Sequence, residues 1–300
     1  MHGVWRFRSR QVGPSRMGIE AVTKFIPYAW KAWLRSRLIP PIHLMKYHPY
    51  QGNAFSYAIG QSDSEHKEMC KLGLPIPPRS LWAGYEEYLE SGERDVGRMT
   101  SILDEAGFSL TMGCRILDFG CASGRMIRWL KDKATTCEIW GTDISSEHAI
   151  WCKLNLSPPF SFITTTTFPH LPFEDRYFDL VYAGSVFTHI DDLADAWFLE
   201  LRRITKIGGS LYITILDKNS LRILKAEMPD ARLSKLIESN KTHLRYAESN
   251  FGMFTIGRHS SANVFYDIDY LCRMLRTSFE VLSITKEAYG FQTAVLFARR

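Results

Sequence analysis

Short apolar runs rich in β-branched and aromatic residues alternate with amphipathic segments over the second two thirds of the chain. The runs have the length of buried strands, and the segments between them repeat apolar residues at helical spacing. This alternation predicts an α/β fold in which a parallel sheet carries helices on both faces. The predicted strands cover residues 115–119, 138–142, 160–164, 178–183 and 210–216, and the predicted helices cover residues 123–133, 145–154 and 193–205.

The last part of the chain breaks this alternation. A predicted helix over residues 267–277 leads into a strand over residues 279–285, and a link containing Gly290 joins that strand to another over residues 291–298. The link is too short for the crossover that parallel strands need. We therefore expect these two strands to be antiparallel, which gives a seven-stranded, mostly parallel sheet with an antiparallel last strand.

The regions outside this pattern define the predicted domain boundaries. Residues 1–90 are interpreted as a basic helical or irregular N-terminal extension, and residues 91–300 as the sheet domain, which begins with a helix over residues 93–106. The stretch LPIPPRS, residues 74–80, predicts a stiff extended link. Residues 219–266 form a polar insertion too long for a plain loop, and we interpret it as a lid. The extension and the insertion are both candidates to cover the active site, with ordinary packing as the alternative.

Composition places the chain among folded globular proteins. Hydrophobic residues make up 45% and charged residues 23% of its 300 positions, and no tandem repeat is present, which excludes disordered, collagenous and solenoid classes. The longest stretch without charged side chains, residues 154–173, contains four prolines and is excluded as a membrane span. Arginines interrupt the first sixteen residues, so no signal-peptide core is expected and the predicted location is cytoplasmic.

Cysteine spacing and charge distribution narrow the candidate chemistry. The six cysteines include no C-x-x-C pair, so no metal site is expected and the thiols are predicted to be reduced and mostly buried. The net charge is +5, but residues 1–50 hold nine Lys or Arg against one acidic residue, which gives +8 there and −3 elsewhere. The basic character belongs to this arm, so the rest of the chain is not a uniformly basic nucleic-acid binder.

Within the arm, residues 27–38 (PYAWKAWLRSRL) predict an amphipathic helix. Trp30 and Trp33 share one side of it, and Lys31 and Arg35 lie four residues apart on another. Two interpretations remain open. The tryptophans dock on the sheet domain, or the helix makes peripheral contact with an anionic membrane.

The stretch RILDFGCASGRMIRWL carries the most informative motif. A predicted strand ends near Asp118, and Gly120 and Gly124 mark the turn before the next predicted helix. Backbone amides and a helix N-terminus would then face a ligand above the sheet, which makes a cradle. The spacing Asp118-x-Gly120-x-Ala122-x-Gly124 departs from the G-x-G-x-x-G dinucleotide pattern, and the acid favours a ligand with an ammonium group and a sulfonium. Cys121 completes the cradle, and we interpret it as a packing residue rather than as a nucleophile.

The next predicted strand ends in WGTDIS, which puts Asp143 twenty-five residues after Asp118. An acid at this position can accept hydrogen bonds from both hydroxyls of a ribose. We therefore predict that Asp143 is a ribose ligand, with Ile144 beside it in the cofactor site. A helix cap or a solvated strand end is the alternative for an isolated aspartate, and the spacing from Asp118 disfavours it.

Together these motifs resemble those of the class I S-adenosylmethionine-dependent methyltransferases. ILDFGCASGR is similar to their first motif and GTDIS to their second, and LPFEDRYFDLVYAGSVFTHI with LRRITKIGGSLYITI resembles the stretch over their fourth and fifth strands. The resemblance covers about residues 90–300 and implies a Rossmann-like sheet, S-adenosyl-L-methionine as cofactor, and methyl transfer. Ala122 replaces the usual third glycine, for which we expect a slightly altered turn and retained binding.

The resemblance also implies where the adenine of the cofactor binds. Thr167 and Phe168 would flank the base, and the Phe168 ring is placed to stack on it. Many family members have an acid at this point. Its absence removes the side chain that would hydrogen-bond the adenine.

Candidate catalytic residues follow the fourth predicted strand in AGSVFTHI. Ser185 to His189 should lie beside the transferable methyl group, and His189 is the candidate general base for a hydroxyl acceptor. A histidine that bonds a loop or caps the next helix is the alternative. A second alternative is that no base is needed, because methyl transfer from an activated sulfonium also proceeds when the protein only positions the acceptor. Arg125 and Arg128 lie one helical turn apart, and we interpret them as partners of acids rather than as an anion site.

The sequence therefore predicts methyl transfer from S-adenosylmethionine to a small-molecule or glycan acceptor, with a hydroxyl as the expected acceptor group. The alternatives are a non-catalytic nucleotide-fold binding module and, disfavoured by the glycine spacing, an NAD-dependent oxidoreductase. The tetrapeptide SPPF, residues 157–160, resembles a motif of nucleic-acid base methylation, but it precedes the third strand instead of following the fourth. We interpret it as a turn, so nucleic acid is not an expected partner.

Overall fold

A seven-stranded sheet organises the part of the chain that the structure describes. The structure is a computed structural model, and it describes residues 68–239, 241–257 and 262–300. The predicted basic arm, with its amphipathic helix over residues 27–38, lies outside the described residues. None of the described helices is long and apolar enough to cross a membrane.

The strands of the main sheet follow the predicted order. The described strands are β1 (Arg115–Phe119), β2 (Glu138–Asp143), β3 (Ser161–Thr164), β4 (Phe178–Ala183), β5 (Thr205–Ile215), β6 (Met253–Ile256), β7 (Asn263–Tyr266), β8 (Phe279–Tyr289) and β9 (Gln292–Arg299). Two strands that were not predicted, β6 and β7, lie in the insertion. The main sheet has the order β3-β2-β1-β4-β5-β9-β8, and β6 pairs with β7 in a separate sheet. Strands β1 to β5 are parallel, whereas β9 is antiparallel to β5 and to β8. The predicted mostly parallel sheet with an antiparallel last strand is confirmed.

Helices cover both faces of the sheet. They are α1 (Tyr88–Glu105), α2 (Ser146–Asn155), α3 (Ala194–Ile204), α4 (Lys218–Ala226), α5 (Arg232–Glu238), α6 (Lys241–Glu248) and α7 (Ile268–Leu275), with 3-10 helices at Arg79–Leu81, Ile127–Leu130 and Lys133–Thr135. The Ser145 side chain caps α2 by accepting the His148 amide.

Alternating side chains along the central strands fill two apolar cores. Ile116 of β1 belongs to the core under α1 and α2, and the next residue, Leu117, belongs to the core under α3 and α7. Leu180 and Val181 of β4 divide in the same way. Successive side chains of a strand point to opposite faces, so a continuous apolar run requires that both faces be buried. The apolar runs of the sequence therefore mark the centre of the sheet.

The predicted helix over residues 123–133 is wrong. This segment forms turns and the 3-10 helices Ile127–Leu130 and Lys133–Thr135. Gly124 has a φ of 80°, which is outside the α-helical region. The Arg128 side chain donates to the Gly124 carbonyl oxygen at 2.9 Å, while the Arg128 amide lies 3.4 Å from the same oxygen. The Gly124 carbonyl oxygen thus accepts from both the side chain and the amide of Arg128, and the left-handed backbone at Gly124 keeps this residue out of a helix.

Other boundaries differ from the prediction by a few residues. Strand β5 begins at Thr205 instead of residue 210, and α1 begins at Tyr88 instead of residue 93. The link predicted to be extended over residues 74–80 ends in the 3-10 helix that starts at Arg79. The Asp267 side chain caps α7, so this helix begins one residue later than predicted.

The insertion over residues 219–266 is made mainly of α4, α5, α6 and the β6–β7 hairpin. A third apolar cluster holds it together and includes Leu224 of α4, Ile237 of α5 and Phe265 of β7. The Tyr266 amide donates to the Leu216 carbonyl oxygen at 2.8 Å, which attaches the hairpin to the end of β5. The described part of the insertion is therefore packed structure rather than an irregular loop.

Helix α1 approaches the turn after β1 at Gly92. A Cβ atom there would overlap the Arg125 carbonyl oxygen and would lie 2.9 Å from Trp129 Nε1. At Gly97, on the same helix, no atom lies within 4 Å of the position of a Cβ atom. The two glycines share the same helix propensity, so substitutions at them separate packing from propensity.

We expect Gly92→Ala to lower the free energy of unfolding by about 2 kcal/mol, because the added methyl group forces α1 away from the turn. Gly97→Ala should raise it by about 0.5–1 kcal/mol through helix propensity alone. Urea denaturation of both variants measures the two effects. A stabilising effect of Gly92→Ala would contradict the close approach of α1 to the Arg125 carbonyl group.

Candidate active site

The carboxyl ends of β1, β2 and β4 open into a cavity of about 730 Å³. Parallel strands bring the turns that follow them to one edge of the sheet, and ligands bind at this edge in open α/β sheets. A further wall of the cavity comes from other parts of the chain. It consists of residues 82–85, Tyr88 of α1 and Tyr289 of β8. The lining includes most of the site residues predicted from the sequence: Asp118, Gly120, Cys121, Ala122, Asp143, Ile144, Thr167, Ser185 and His189.

Left-handed backbone shapes the turn after β1. Gly120 has a φ of 83° and Gly124 a φ of 80°, conformations that glycine adopts at no steric cost. A Cβ atom at Gly120 would also overlap the Val186 side chain. Ala122 has a φ of 45° between the two glycines, so the turn keeps its left-handed form with alanine at the position of the usual third glycine. Gly124 does not line the cavity and packs against Leu156 instead.

Asp118 places a buried carboxyl group near the end of β1, with 2% of the residue exposed. Its Oδ2 atom has no hydrogen-bond partner among the described residues. Burial, with a smaller contribution from the Asp143 carboxylate, raises the pKa of Asp118 to about 7, while Tyr182 and Arg125 act in the opposite direction. A cationic group of a ligand beside Oδ2 would supply the missing partner.

The Asp143 carboxylate joins the ends of β1 and β2. Its Oδ2 atom accepts the Ala122 amide at 2.8 Å, and its Oδ1 atom accepts the Ser145 amide at 2.7 Å. Each oxygen keeps a lone pair, so the group can still accept two hydroxyl protons from a ligand. The Thr165 amide donates to the Asp143 carbonyl oxygen at 2.8 Å and fixes the strand end from the β3 side. Asp143 is thus held in one orientation at the cavity wall.

A hydrogen-bond network fixes Ser185 in the turn after β4. Its amide donates to Thr214 Oγ1 at 2.7 Å, and its hydroxyl accepts from Gln292 Nε2 at 2.8 Å. The Thr214 hydroxyl donates to Gln292 Oε1 at 2.7 Å, and Thr188 Oγ1 lies 3.1 Å from Ser185 Oγ. Ser185 has a left-handed φ of 58°, and these contacts hold it in that strained conformation.

His189 lines the cavity from the segment between β4 and α3. Its Nδ1 atom lies 2.7 Å from the Ala262 carbonyl oxygen. A carbonyl oxygen only accepts hydrogen bonds, so the proton of the neutral ring is on Nδ1 and the lone pair is on Nε2. The loop contact considered for this histidine is present, and it sets the tautomer that a general base acting through Nε2 needs. Ala262 belongs to the insertion, which therefore contacts His189. None of the described residues of the insertion lines the cavity itself.

The two residues expected to flank an adenine have different environments. Thr167 lines the cavity, whereas Phe168 is 57% exposed and does not line it. Thr165, which the sequence pattern does not single out, is buried and lines the cavity. Stacking of Phe168 on a base stays a prediction. The side chains after β3 that line the cavity are those of Thr165 and Thr167.

Cys121 has the environment of a small core residue. The residue is buried, and the thiol of Cys152 together with burial holds the pKa of the Cys121 thiol well above its usual value. Reactive cysteines need the opposite shift, because the thiolate is the nucleophile. The packing interpretation is therefore favoured. All six cysteines are free thiols, and Cys272 is the one that is partly exposed.

The aromatic wall of the cavity consists of residues that the sequence analysis does not single out. Trp82 and Tyr88 stack with their ring centroids 5.3 Å apart. The Tyr88 hydroxyl lies 2.7 Å from Ser123 Oγ, which attaches this segment to the turn after β1. Tyr85 and Tyr289 also line the wall. The close spacing of Trp82, Tyr85 and Tyr88 is a usable signal in the sequence, whereas no local pattern relates Tyr289 to the site.

The two arginines of the turn after β1 make internal contacts. Arg125 Nη1 lies 2.8 Å from Asp95 Oδ2, and both side chains are buried. Arg128 is fully buried and donates to the carbonyl oxygens of Gly124 and Pro75. The expected pairing with an acid is present for Arg125, whereas Arg128 binds backbone oxygens instead.

Comparison with known proteins relates this site to one family. Residues 117–213 match the family described as a methyltransferase domain. The chain is similar to sterol 24-C-methyltransferase erg6 of Schizosaccharomyces pombe (strain 972 / ATCC 24843), 33% identical over 102 residues, which are 32% of this chain and 26% of that protein. It is also similar to methyltransferase GfsG of Streptomyces halstedii, 26% identical over 174 residues, which are 54% of this chain and 58% of that protein. The matched part of the chain thus spans less than two thirds of either relative.

A solved structure shares the fold. The crystal structure of the PH0226 protein from Pyrococcus horikoshii OT3 is similar with a TM-score of 0.50 and 16% identity, covering 75% of this chain and 100% of that one. At this identity the likeness concerns the fold alone.

The matched residues 117–213 contain the turn after β1 with its two glycines (the glycine turn), Asp143 and His189. Most residues of the cavity lining lie in this range. Fold and site together define a Rossmann-like methyltransferase domain. Its motifs are similar to those of the class I S-adenosylmethionine-dependent methyltransferases. The described residues fit this cofactor, because Asp118 offers an unpartnered carboxyl group to a cation and Asp143 keeps lone pairs for ribose hydroxyls.

We expect Asp118→Asn to stabilise the protein more at pH 8 than at pH 5. The pKa of Asp118 is raised to about 7 by folding, so stability falls as pH rises between its ordinary value of 3.8 and about 7, and the loss is complete at pH 8. The amide removes this loss, which should raise the free energy of unfolding by about 2 kcal/mol at pH 8 and by less at pH 5. Urea denaturation at the two pH values measures the difference.

Asp104→Asn is the matched control, since Asp104 is an exposed residue of α1. It should change stability equally at both pH values. An Asp118→Asn variant whose effect is the same at pH 5 and pH 8 would contradict the buried, proton-binding carboxyl group.

Proposed function

We propose that the protein transfers the methyl group of S-adenosylmethionine to a hydroxyl group of a small molecule or glycan. The observation that supports this most is that the residues suited to the cofactor and His189 line one cavity. Formation of S-adenosylhomocysteine from S-adenosylmethionine, assayed against fractionated metabolites and glycans, tests the proposal. Binding of S-adenosylhomocysteine without turnover in any fraction would instead favour a binding module.

The cofactor end of the cavity lies over the turns after β1 and β2. Asp118 would bind the ammonium group, Asp143 the ribose hydroxyls, and Thr167 the region of the adenine. Bound S-adenosylmethionine supplies a methyl group on a sulfonium sulfur, so the leaving group is activated before an acceptor enters. The task left to the protein is to orient the acceptor and to remove its proton.

His189 would take the proton of the acceptor hydroxyl. Its Nε2 lone pair is free because Nδ1 carries the proton that is donated to the Ala262 carbonyl oxygen at 2.7 Å. The same hydrogen bond stabilises the ring after it becomes cationic, since Nδ1 remains the donor. His189 is exposed, so the proton can pass on to solvent.

The rest of the cavity suits an acceptor with apolar surface. Its lining includes Ile190, Leu193 and Trp197, which follow His189 in the chain, and Trp82, which precedes α1. A volume of about 730 Å³ leaves room for a small acceptor beside a nucleoside cofactor. One relative is named for a sterol acceptor, which is in keeping with an apolar partner.

We expect Asp143→Ala to weaken binding of S-adenosylhomocysteine by about 2 kcal/mol, roughly thirtyfold, because two charge-assisted hydrogen bonds to the ribose are lost. Isothermal titration calorimetry measures the change. Asp132→Ala, at an exposed position outside the cavity lining, is the control and should bind normally. Unchanged affinity in a folded Asp143→Ala protein would rule out the ribose assignment.

His189→Ala should lower kcat by roughly 100-fold with the acceptor found in the screen, because the hydroxyl proton loses its base. Affinity for S-adenosylhomocysteine should stay the same, since the histidine acts on the acceptor. His170→Ala serves as the control, because the His170 side chain is 71% exposed and does not line the cavity. Equal turnover of His189→Ala and the unmodified protein would show that positioning alone carries the reaction.

A further inference from the structure

Three arginines meet at the edge of the sheet that is opposite the cavity. Arg176 comes just before β4, Arg202 lies in the last turn of α3, and Arg299 is the last residue of β9. Because β9 is antiparallel to β5, its end lies near the beginning of β5, and Arg299 Nη1 donates to the Thr205 carbonyl oxygen. The turns that line the cavity follow the other ends of β1, β2 and β4, and none of the three arginines is part of the lining.

One backbone carbonyl group holds two of these arginines together. The Arg176 amide donates to the Arg203 carbonyl oxygen at 2.8 Å, and Arg299 Nη1 donates to the same oxygen at 3.3 Å. Arg202 is the residue before Arg203, and its charge acts on Arg299. Three guanidinium groups from separate elements therefore lie close together. We call Arg176, Arg202 and Arg299 the arginine cluster.

The arginine cluster contains buried donors without acceptors. The Nε atoms of Arg202 and Arg299 are buried and have no hydrogen-bond partner among the described residues. Arg299 is 8% exposed, and its described hydrogen bonds all use Nη1, so the side of its guanidinium formed by Nε and Nη2 has no described partner. Donors of buried charged groups are normally paired, because an unpaired donor costs free energy. An acceptor with two oxygens fits this side of the guanidinium, since its two donors point in parallel.

Arg203, which lies next to the arginine cluster, has the contacts of a structural arginine. Its guanidinium lies 2.7 Å from Glu200 Oε1 and 2.8 Å from Asp175 Oδ1. It also donates to the carbonyl oxygens of Leu171 and Phe173. The charge and the donors of Arg203 are therefore used within the fold, in contrast to those of the cluster.

Acids do not match the positive charge of the arginine cluster. The side chains of Arg176 and Arg202 make no ion pair with a described residue. Burial lowers the pKa of Arg299 below its usual value, and the charges of Arg202 and Arg176 act in the same direction. Asp175 opposes this shift, but its carboxylate already pairs with Arg203. Like charges held close together repel, so an anion bound among them would stabilise this edge of the sheet.

We propose that the arginine cluster binds a phosphate group, at a site separate from the cavity. A phosphate group carries up to two negative charges and presents at least three oxygens, so it accepts from several guanidinium groups at once. A carboxylate has two oxygens and one charge, and it satisfies fewer of these donors. The ligand is inorganic phosphate or a small molecule with a phosphate monoester. The inference does not depend on the proposed function, because no residue of the cluster lines the cavity.

Isothermal titration calorimetry of the full chain with inorganic phosphate and with glycerol 3-phosphate, at constant ionic strength, tests the site. Arg202→Gln should weaken the binding of both by about tenfold or more, because charge-assisted hydrogen bonds are lost. The variant should fold, since the Arg202 side chain makes no hydrogen bond or ion pair with a described residue. Tighter binding of glycerol 3-phosphate would identify a phosphate monoester as the ligand, and tighter binding of inorganic phosphate would identify the free ion.

The Tm of the same proteins gives a second measurement. Without multivalent anions, Arg202→Gln should raise the Tm by about 2 °C, because repulsion within the cluster is reduced. Phosphate should raise the Tm of the unmodified protein and have little effect on that of the variant. A lower Tm of the variant that does not depend on phosphate would show a structural arginine and overturn the proposal.

Arg98→Gln is the control, because Arg98 is an exposed residue of α1 outside the cluster. It should leave the affinity for phosphate unchanged. Equal weakening by Arg98→Gln and Arg202→Gln would assign the binding to overall charge and overturn the proposal. Absence of binding of either ligand to the unmodified protein at millimolar concentration would overturn it as well. So would displacement of phosphate by S-adenosylhomocysteine, since the ion would then occupy the cavity.

Discussion

The Asp143 carboxylate accepts one backbone amide from the turn after β1 and another from the turn after β2. The two strands are parallel neighbours, and Phe119 at the end of β1 pairs with Thr142, next to Asp143. Strand ends leave backbone donors without partners, and a charged acceptor satisfies two of them at once. The shape of the glycine turn and the position of the ligand-facing oxygens both depend on this group. Its removal frees both turns together.

Backbone strain is concentrated around the cavity that this carboxylate organises. Four of the six described non-glycine residues with positive φ line it, namely Ala83, Ala122, Ser185 and Leu193. Such conformations cost about 1–3 kcal/mol each and persist where surrounding contacts hold them. The amide bond from Ala122 to Asp143 and the network around Ser185 are contacts of this kind. Burial of apolar side chains in the two cores of the sheet stabilises the fold and offsets the free-energy cost of these strained residues.

The turns that line the cavity after β1 and β2 could be predicted because they depend on residues that are close in sequence. Asp118, Gly120 and Asp143 follow apolar runs, and such runs mark where strands end. The turns and 3-10 helices that stand in place of the predicted helix after β1 could not be predicted, because no periodicity reveals the left-handed backbone at Gly124. The place of Tyr289 could not be predicted either, since only the pairing of β8 with β9 at the far side of β5 brings it to the cavity.

The contact between Tyr85 and Tyr289 joins residues 204 positions apart in the chain. During synthesis from the amino terminus, the ribosome releases the glycine turn and Asp143 long before β8. A chain at that stage has the family motifs but lacks the side of the cavity that Tyr289 lines. The wall that Tyr289 lines is therefore completed only when β8 and β9 pair beside β5, after the strands that carry the family motifs have been made.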